Sequence, residues 1–149
     1  MMNDLRDLYQ ELILEHSRKP RNFGKLDKYD YYERGSNPLC GDQYELFIKC
    51  DDRIISDISF SGSGCAISQA SASVMTDVIK GKSIKTAQDY INGFSKVITN
   101  GEPSEGLPTR LQAFAGVHNF PVRVKCAILP WRILEAVIKK IEHLKNNNS

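Results

Sequence analysis

Four residues far apart in the chain carry the side chains best suited to chemistry. Cys40 and Asp42 flank Gly41, Cys65 follows Gly62-Ser63-Gly64, and Cys126 ends the stretch Val122-Arg123-Val124-Lys125-Cys126. A thiol becomes a metal ligand or a nucleophile toward sulfur only as the thiolate. Zn²⁺ accepts thiolates and a carboxylate in a tetrahedron, with bonds of ~2.3 Å to sulfur and ~2.0–2.2 Å to oxygen, and Cys40, Asp42, Cys65 and Cys126 make up one such donor set. Those donors carry twice the charge of the ion, so nearby cations have to moderate the excess, and Arg123 and Lys125 are the candidates. No short metal-binding knuckle is present. By spacing alone, unrelated buried thiols are an equally good reading.

The elements around these residues are positioned to aim them at a shared point. Cys65 stands at the start of a small-residue helix that runs to Lys80 and stops at Gly81. Cys126 is expected to open a final helix that turns Ile133, Leu134, Val137, Ile138 and Ile141 to the core, with Pro130 in its first turn, where a missing N–H costs nothing. A helix N-terminus favours the thiolate at both cysteines. Between them, Tyr44, Leu46, Ile48 and Cys50 alternate along one strand and Ile54, Ile58 and Phe60 along a second, with Asp51-Asp52 turning the hairpin. Cys50 then reads as a packed core thiol. An amphipathic helix over 4–17, a polar surface connection over 18–37, a helix capped by Ser83 and weakened at its end by Gly93, and a short helix over 109–115 complete the reading.

The chain has 149 residues, the size of one compact domain, 1–149, with a frayed tail at 146–149. Its 41% hydrophobic and 26% charged residues are those of a folding globular protein. A net charge of +2 is too small for a general polyanion-binding surface, so nucleic acid is not the expected partner. No apolar run reaches the ~18 residues of a membrane span, and no signal-peptide pattern opens the chain, so a cytoplasmic setting is expected. In that compartment the four cysteines read as thiols or ligands rather than disulfides.

Three segments in order, Asn37-Pro38-Leu39-Cys40-Gly41-Asp42, Gly62 through Met75, and Phe120-Pro121-Val122-Arg123-Val124-Lys125-Cys126, resemble the SufU branch of the IscU-like iron–sulfur assembly proteins, a family that includes the NifU N-terminal domain. The likeness spans nearly the whole chain. It implies an α+β fold, a small antiparallel β-sheet covered by helices, with Zn²⁺ held at one end by Cys40, Asp42, Cys65 and Cys126. It also implies a partner, a cysteine desulfurase that owns the pyridoxal phosphate (PLP) and carries a persulfide, and downstream iron–sulfur assembly proteins. The IscU branch has His before its last cysteine, where this chain has Lys125, and the longer segment from about 82 to 120 resembles the SufU insertion. Both features favour a zinc-dependent sulfur acceptor, sulfurtransferase-like, that activates the desulfurase.

Within that resemblance Cys40, on a loop containing Pro38 and Gly41, is the thiol most able to move and accept sulfur. The alternative is a scaffold in which the same donors hold a nascent iron–sulfur cluster. A purely structural zinc site is a further reading. Arg123 and Lys125 could balance charge or assist docking, and Tyr29, Tyr31 and Tyr32 could mark a partner surface. His16 reads as helix surface or core edge, and His118 and His143 as loop and C-terminal residues.

Overall fold

A computed structural model gives the structure of residues 2–147, with side chains described over 7–144. Three strands, β1 (Tyr31–Asn37), β2 (Asp42–Asp51) and β3 (Ile54–Ser63), form an antiparallel sheet in the order β1-β2-β3. The expected hairpin joins β2 to β3, one residue later than the sequence suggested. Asp52 and Arg53 are its central residues, with φ of 47° and 67°, the left-handed pair that matches the twist of a two-residue hairpin. β1 falls where the sequence indicated an irregular connection. Its edge position explains the miss, because a strand paired on one side and only half-buried carries no clean alternation. Gly35 lets β1 approach the last helix, since a Cβ there would lie 2.8 Å from Ile133 Cγ1.

Tyr44, Leu46, Ile48, Ile58 and Phe60 fill the core side of the sheet as their alternation predicts. Ile54 does not. The register jumps from Asp57 opposite Lys49 to Ile55 opposite Cys50, so Ser56 is an extra residue in β3 and its hydroxyl donates to Lys49 O at 3.2 Å. This bulge reverses the phase of the strand, burying Ile55 completely and leaving Ile54 39% exposed. Cys50, beside the bulge, is half-buried against the core rather than enclosed in it.

The helices are α1 (Met2–Arg18), α2 (Ala66–Ile79), α3 (Ile84–Asn100), α4 (Thr109–Gln112), which continues as a 3-10 segment Ala113–Asn119, and α5 (Pro121–Asn147). The tail expected at 146–149 falls on the last two residues of α5 and on 148–149, which lie outside the described residues. α2 packs against α1, α5 and β3, and its small residues permit this crowding. Ser71 is buried against two residues of α5, donating to Ala127 O at 2.6 Å and accepting from Trp131 Nε1 at 3.1 Å. Trp131 in turn stacks on Phe94 of α3, 4.7 Å between ring centroids. α3 carries the Ser83 cap as expected but runs through Gly93 to a left-handed Gly101.

α5 differs most from expectation. It begins at Pro121, so Pro130 lies in the helix interior and not in the first turn. A proline there supplies no N–H to the carbonyl four residues earlier, which belongs to Cys126. Cys126 itself is in the second turn, past the N-terminal turn that would have favoured its thiolate.

His16 of α1, expected at a surface or core edge, is 2% exposed, with Nδ1 2.6 Å from Ser73 Oγ. Ser73 Oγ also accepts from Arg21 N at 2.7 Å, so His16 and the segment after α1 share one hydroxyl of α2. Burial holds the pKa of His16 below the ordinary histidine value, and Arg21 and Arg110 act in the same direction, opposed by Glu15 and Asp77. The unfolded chain therefore binds a proton first as pH falls. The stability this neutral histidine gives is complete above about 6.5 and is lost progressively below it, by at most about 1.4 kcal/mol per pH unit. Urea unfolding at pH 7.5 and 5.5 should show a stability loss in the wild type that is smaller in His16→Gln; equal losses in both would remove His16 as the source.

Candidate metal centre

The turn from β1 to β2 is built by Asn37, whose Oδ1 accepts from Leu39 N at 3.3 Å while its carbonyl accepts from Cys40 N at 3.1 Å. Gly41 completes it with a φ of 71°. This delivers Cys40 on a half-exposed loop and Asp42 as the first residue of β2, fully buried. Cys65 is the N-cap of α2, as its position after the Gly-Ser-Gly loop predicts, and its sulfur accepts from Ser68 N at 3.4 Å. Cys126 arrives from α5, nearly enclosed.

Cys40 and Cys126, separated by most of the chain, place their sulfurs 3.1 Å apart. Together with Asp42 they offer two sulfurs and a carboxylate oxygen that all lie within 4.8 Å of one another. Cys65 falls outside that triad, with its sulfur turned to its own helix, yet its thiol is close enough to Cys126 to act on it. Burial pushes the Cys126 thiol far up, and the hydrogen-bonded thiols of Cys40 and Cys65 and the carboxylate of Asp42 add to that. The lowered thiol expected at a helix start is thus reversed at Cys126, because the residue is buried, lies past the first turn, and is surrounded by groups that repel a second negative charge.

Asp42 is the most informative residue. Its Oδ1 accepts from Cys65 N at 2.8 Å, tying β2 to the start of α2. Its Oδ2 is buried and has no hydrogen-bond partner, one of two such atoms among the described residues; the other is Nδ2 of Asn37, directly opposite Asp42 in the strand register. A buried carboxylate oxygen without a partner costs free energy unless a cation faces it. The residues present therefore suit a divalent ion that accepts sulfur and oxygen donors, as zinc does.

Gly64, which the sequence marked only as the glycine before Cys65, also shapes this end of the molecule, together with Ser68 and Tyr44, to which the sequence assigned no part in the site. A Cβ on Gly64 would lie 2.5 Å from each of Asp42 Oδ1, Ser68 Oγ and the Tyr44 hydroxyl, so these oxygens converge on the space that glycine leaves. The Tyr44 hydroxyl is 2.8 Å from Ser68 Oγ, and burial together with Asp42, Cys65 and Cys126 raises its pKa strongly. Strand alternation marked Tyr44 only as core; nothing in its spacing reports where the end of its ring stops.

Arg123 stacks its guanidinium over Phe120, 4.4 Å from the ring centroid. It and Cys65 both act electrostatically on the hydroxyl of Tyr9, whose pKa burial raises. Lys125 is exposed. Leu39, Phe120 and Val122, next to Cys40 and in and before the first turn of α5, are 74%, 48% and 58% exposed. His118 is exposed and its Nδ1 is 3.0 Å from Ala115 O. Tyr29 and Tyr32 pack with Phe47 elsewhere, on the sheet. No helix among the described residues is long and apolar enough to cross a membrane.

The NifU-like N-terminal domain family matches residues 8–147. The chain is 41% identical over 140 residues to the zinc-dependent sulfurtransferase SufU of Bacillus subtilis, covering 93% of this chain and 95% of that protein. It is 37% identical over 151 residues to the iron–sulfur cluster assembly scaffold protein IscU of Streptococcus pyogenes serotype M1, covering 99% and 94%. A crystal structure of a putative SUF-system scaffold protein from Fervidobacterium islandicum AW-1 superposes with a TM-score of 0.82 at 35% identity, covering 89% of this chain and 98% of that one. The fold, the three cysteine-bearing motifs and these relatives agree, and the chain belongs to the NifU-like N-terminal domain family, among the SufU and IscU proteins of iron–sulfur cluster assembly.

Proposed function

We propose that this chain is a zinc-dependent sulfur acceptor that takes persulfide sulfur from a PLP-dependent cysteine desulfurase and passes it to downstream iron–sulfur assembly proteins. The observation that carries this reading is the pairing of a half-exposed loop thiol, Cys40, with the buried thiol of Cys126 beside an unpartnered carboxylate oxygen of Asp42. Cys40, Asp42, Cys65 and Cys126 are the residues that would hold the ion. Bound zinc supplies positive charge that keeps these thiols ionised at neutral pH.

Cys40 is the acceptor because it is the member of the set on a turn, while Cys65 caps a helix and Cys126 is enclosed by one. Its thiolate attacks the outer sulfur of the donor persulfide; a new S–S bond forms on Cys40, the donor S–S bond breaks, and the desulfurase cysteine leaves as a thiolate. Asp42 stays fixed through its bond from Cys65 N. Leu39, Phe120 and Val122 offer exposed apolar surface for the docking that brings the persulfide to Cys40, and Arg123 and Lys125 add positive charge at the same end. The desulfurase itself is inferred from the chemistry and from the sulfurtransferase named among the relatives.

The scaffold reading has its own support in the IscU relatives. Anaerobic reconstitution separates the two: a stable cluster transferred intact to an apoprotein favours the scaffold, and its absence favours sulfur transfer.

Incubation with a cysteine desulfurase and cysteine should give a persulfide on Cys40, detected by alkylation and a mass shift of the Cys40 peptide. Cys40→Ser should abolish it; persulfide formation on that variant at the native rate defeats the assignment. The contrast between the two close thiols gives a second expectation. In chelator-treated protein at neutral pH, Cys40 should be alkylated on the order of tenfold faster than Cys126, which is enclosed and whose burial raises its thiol. Equal labelling rates would show that the folded chain does not distinguish them.

A further inference from the structure

Ser68 and Tyr44 lie behind Cys65, and their hydrogen bonds form a chain that ends at its sulfur. Ser68 Oγ is 3.0 Å from Cys65 O, 2.8 Å from the Tyr44 hydroxyl and 3.6 Å from Cys65 Sγ, while Ser68 N donates to the same sulfur at 3.4 Å. Ser68 is fully buried and Tyr44 is 2% exposed, so neither hydroxyl can turn to water for a substitute partner. With Cys65 protonated, an arrangement that uses every contact has Tyr44 donating to Ser68 Oγ, Ser68 donating to Cys65 O, and the thiol donating to Ser68 Oγ.

A thiolate at Cys65 has no proton to give and has room to accept one. Ser68 can then rotate its hydroxyl from Cys65 O to Cys65 Sγ. Cys65 O is not orphaned by this move, because it also accepts from Gln69 N at 3.0 Å. Tyr44 continues to donate to Ser68 Oγ, and a hydroxyl that accepts a bond is polarised into a better donor. We propose that Ser68 and Tyr44 are positioning residues for Cys65, a two-hydroxyl relay that donates to its thiolate and holds its sulfur at the start of α2. Gly64 keeps the space open for the relay, since a Cβ there would meet Ser68 Oγ, the Tyr44 hydroxyl and Asp42 Oδ1. The relay also accounts for where part of the excess negative charge of a three-thiolate, one-carboxylate set goes: into N–H and O–H donors internal to the fold. The inference rests on the zinc-site reading above, and concerns residues that reading does not use.

The test loads the full chain with Co²⁺, because sulfur-to-cobalt charge-transfer absorption reports the electron density on ligating sulfur. Tyr44→Phe removes one oxygen and keeps the ring; Ser68→Ala removes the hydroxyl and keeps the Ser68 N–H. Loss of a donor to sulfur should move the charge-transfer band to longer wavelength in both variants and weaken Zn²⁺ retention against a competing chelator by roughly tenfold, the usual scale for a group that orients a ligand. Circular dichroism and the unfolding midpoint of each metal-free variant separate a lost donor from lost packing, and the near-isosteric Tyr44→Phe decides the matter if Ser68→Ala does not fold. A wild-type band that both variants leave in place, with chelator resistance unchanged, overturns the relay and leaves the metal centre standing. A wild type that gives no sulfur-to-cobalt band overturns both.

Discussion

The bond from Cys65 N to Asp42 Oδ1 is the constraint on which this end of the molecule depends. It joins the first residue of β2 to the cap of α2, so the sheet and the central helix cannot be placed independently. It also occupies one oxygen of a fully buried carboxylate and leaves the other without a protein donor, in a side chain that brings an oxygen within 4.8 Å of the sulfurs of Cys40 and Cys126. Charge-assisted bonds of this kind are among the stronger ones in a protein interior, whereas an unpartnered carboxylate oxygen is among the more costly features. The chain thus holds a stabilising contact and an unsatisfied one on the same side chain, which is the arrangement expected where a cation belongs.

The rest of the fold supports that geometry by close approach. Small residues let α2 sit among α1, α5 and the sheet; Gly35 lets β1 reach Ile133; and Gly64 leaves room for three oxygens. Ser71 and Trp131 tie α2 to α5, and Phe94 extends the contact to α3, so the helix that carries Cys126 is held along its length. Pro130 removes one helical bond at the carbonyl of Cys126 itself, a local irregularity within an otherwise continuous helix. Cys40 stands apart from this packing, on the half-exposed turn between β1 and β2. A carboxylate tied to the helix cap and a thiol on a half-exposed turn are the two features that the proposed sulfur acceptance would use.

Much of the fold was readable because it is local. Alternation found β2 and most of β3, the Ser83 cap found α3, and the Gly-Ser-Gly loop found the start of α2. The misses have physical causes of another kind. The β1 edge strand exists because β2 offers it a ladder, the Ser56 bulge exchanges Ile54 for Ile55, and α5 starts earlier than Pro130 suggested because Pro121 is itself a favourable first helical residue. Cys126 consequently lost its expected helix-start environment, and burial raises its thiol where a helix start would have lowered it.

What the linear order of residues determined by itself is the kind of chemistry: three cysteines and an aspartate beside glycines and helix starts, and a match to one family through three motifs. Proximity was decided only in three dimensions. A sulfur–sulfur approach of 3.1 Å across 86 positions, an orphaned oxygen on Asp42, and the arrival of the Tyr44 hydroxyl behind Cys65 depend on how sheet and helices pack, and no local propensity encodes them. Residue type sets which bonds a side chain can make. Packing sets which of them remain unmade, and at this site the unmade ones point to the function.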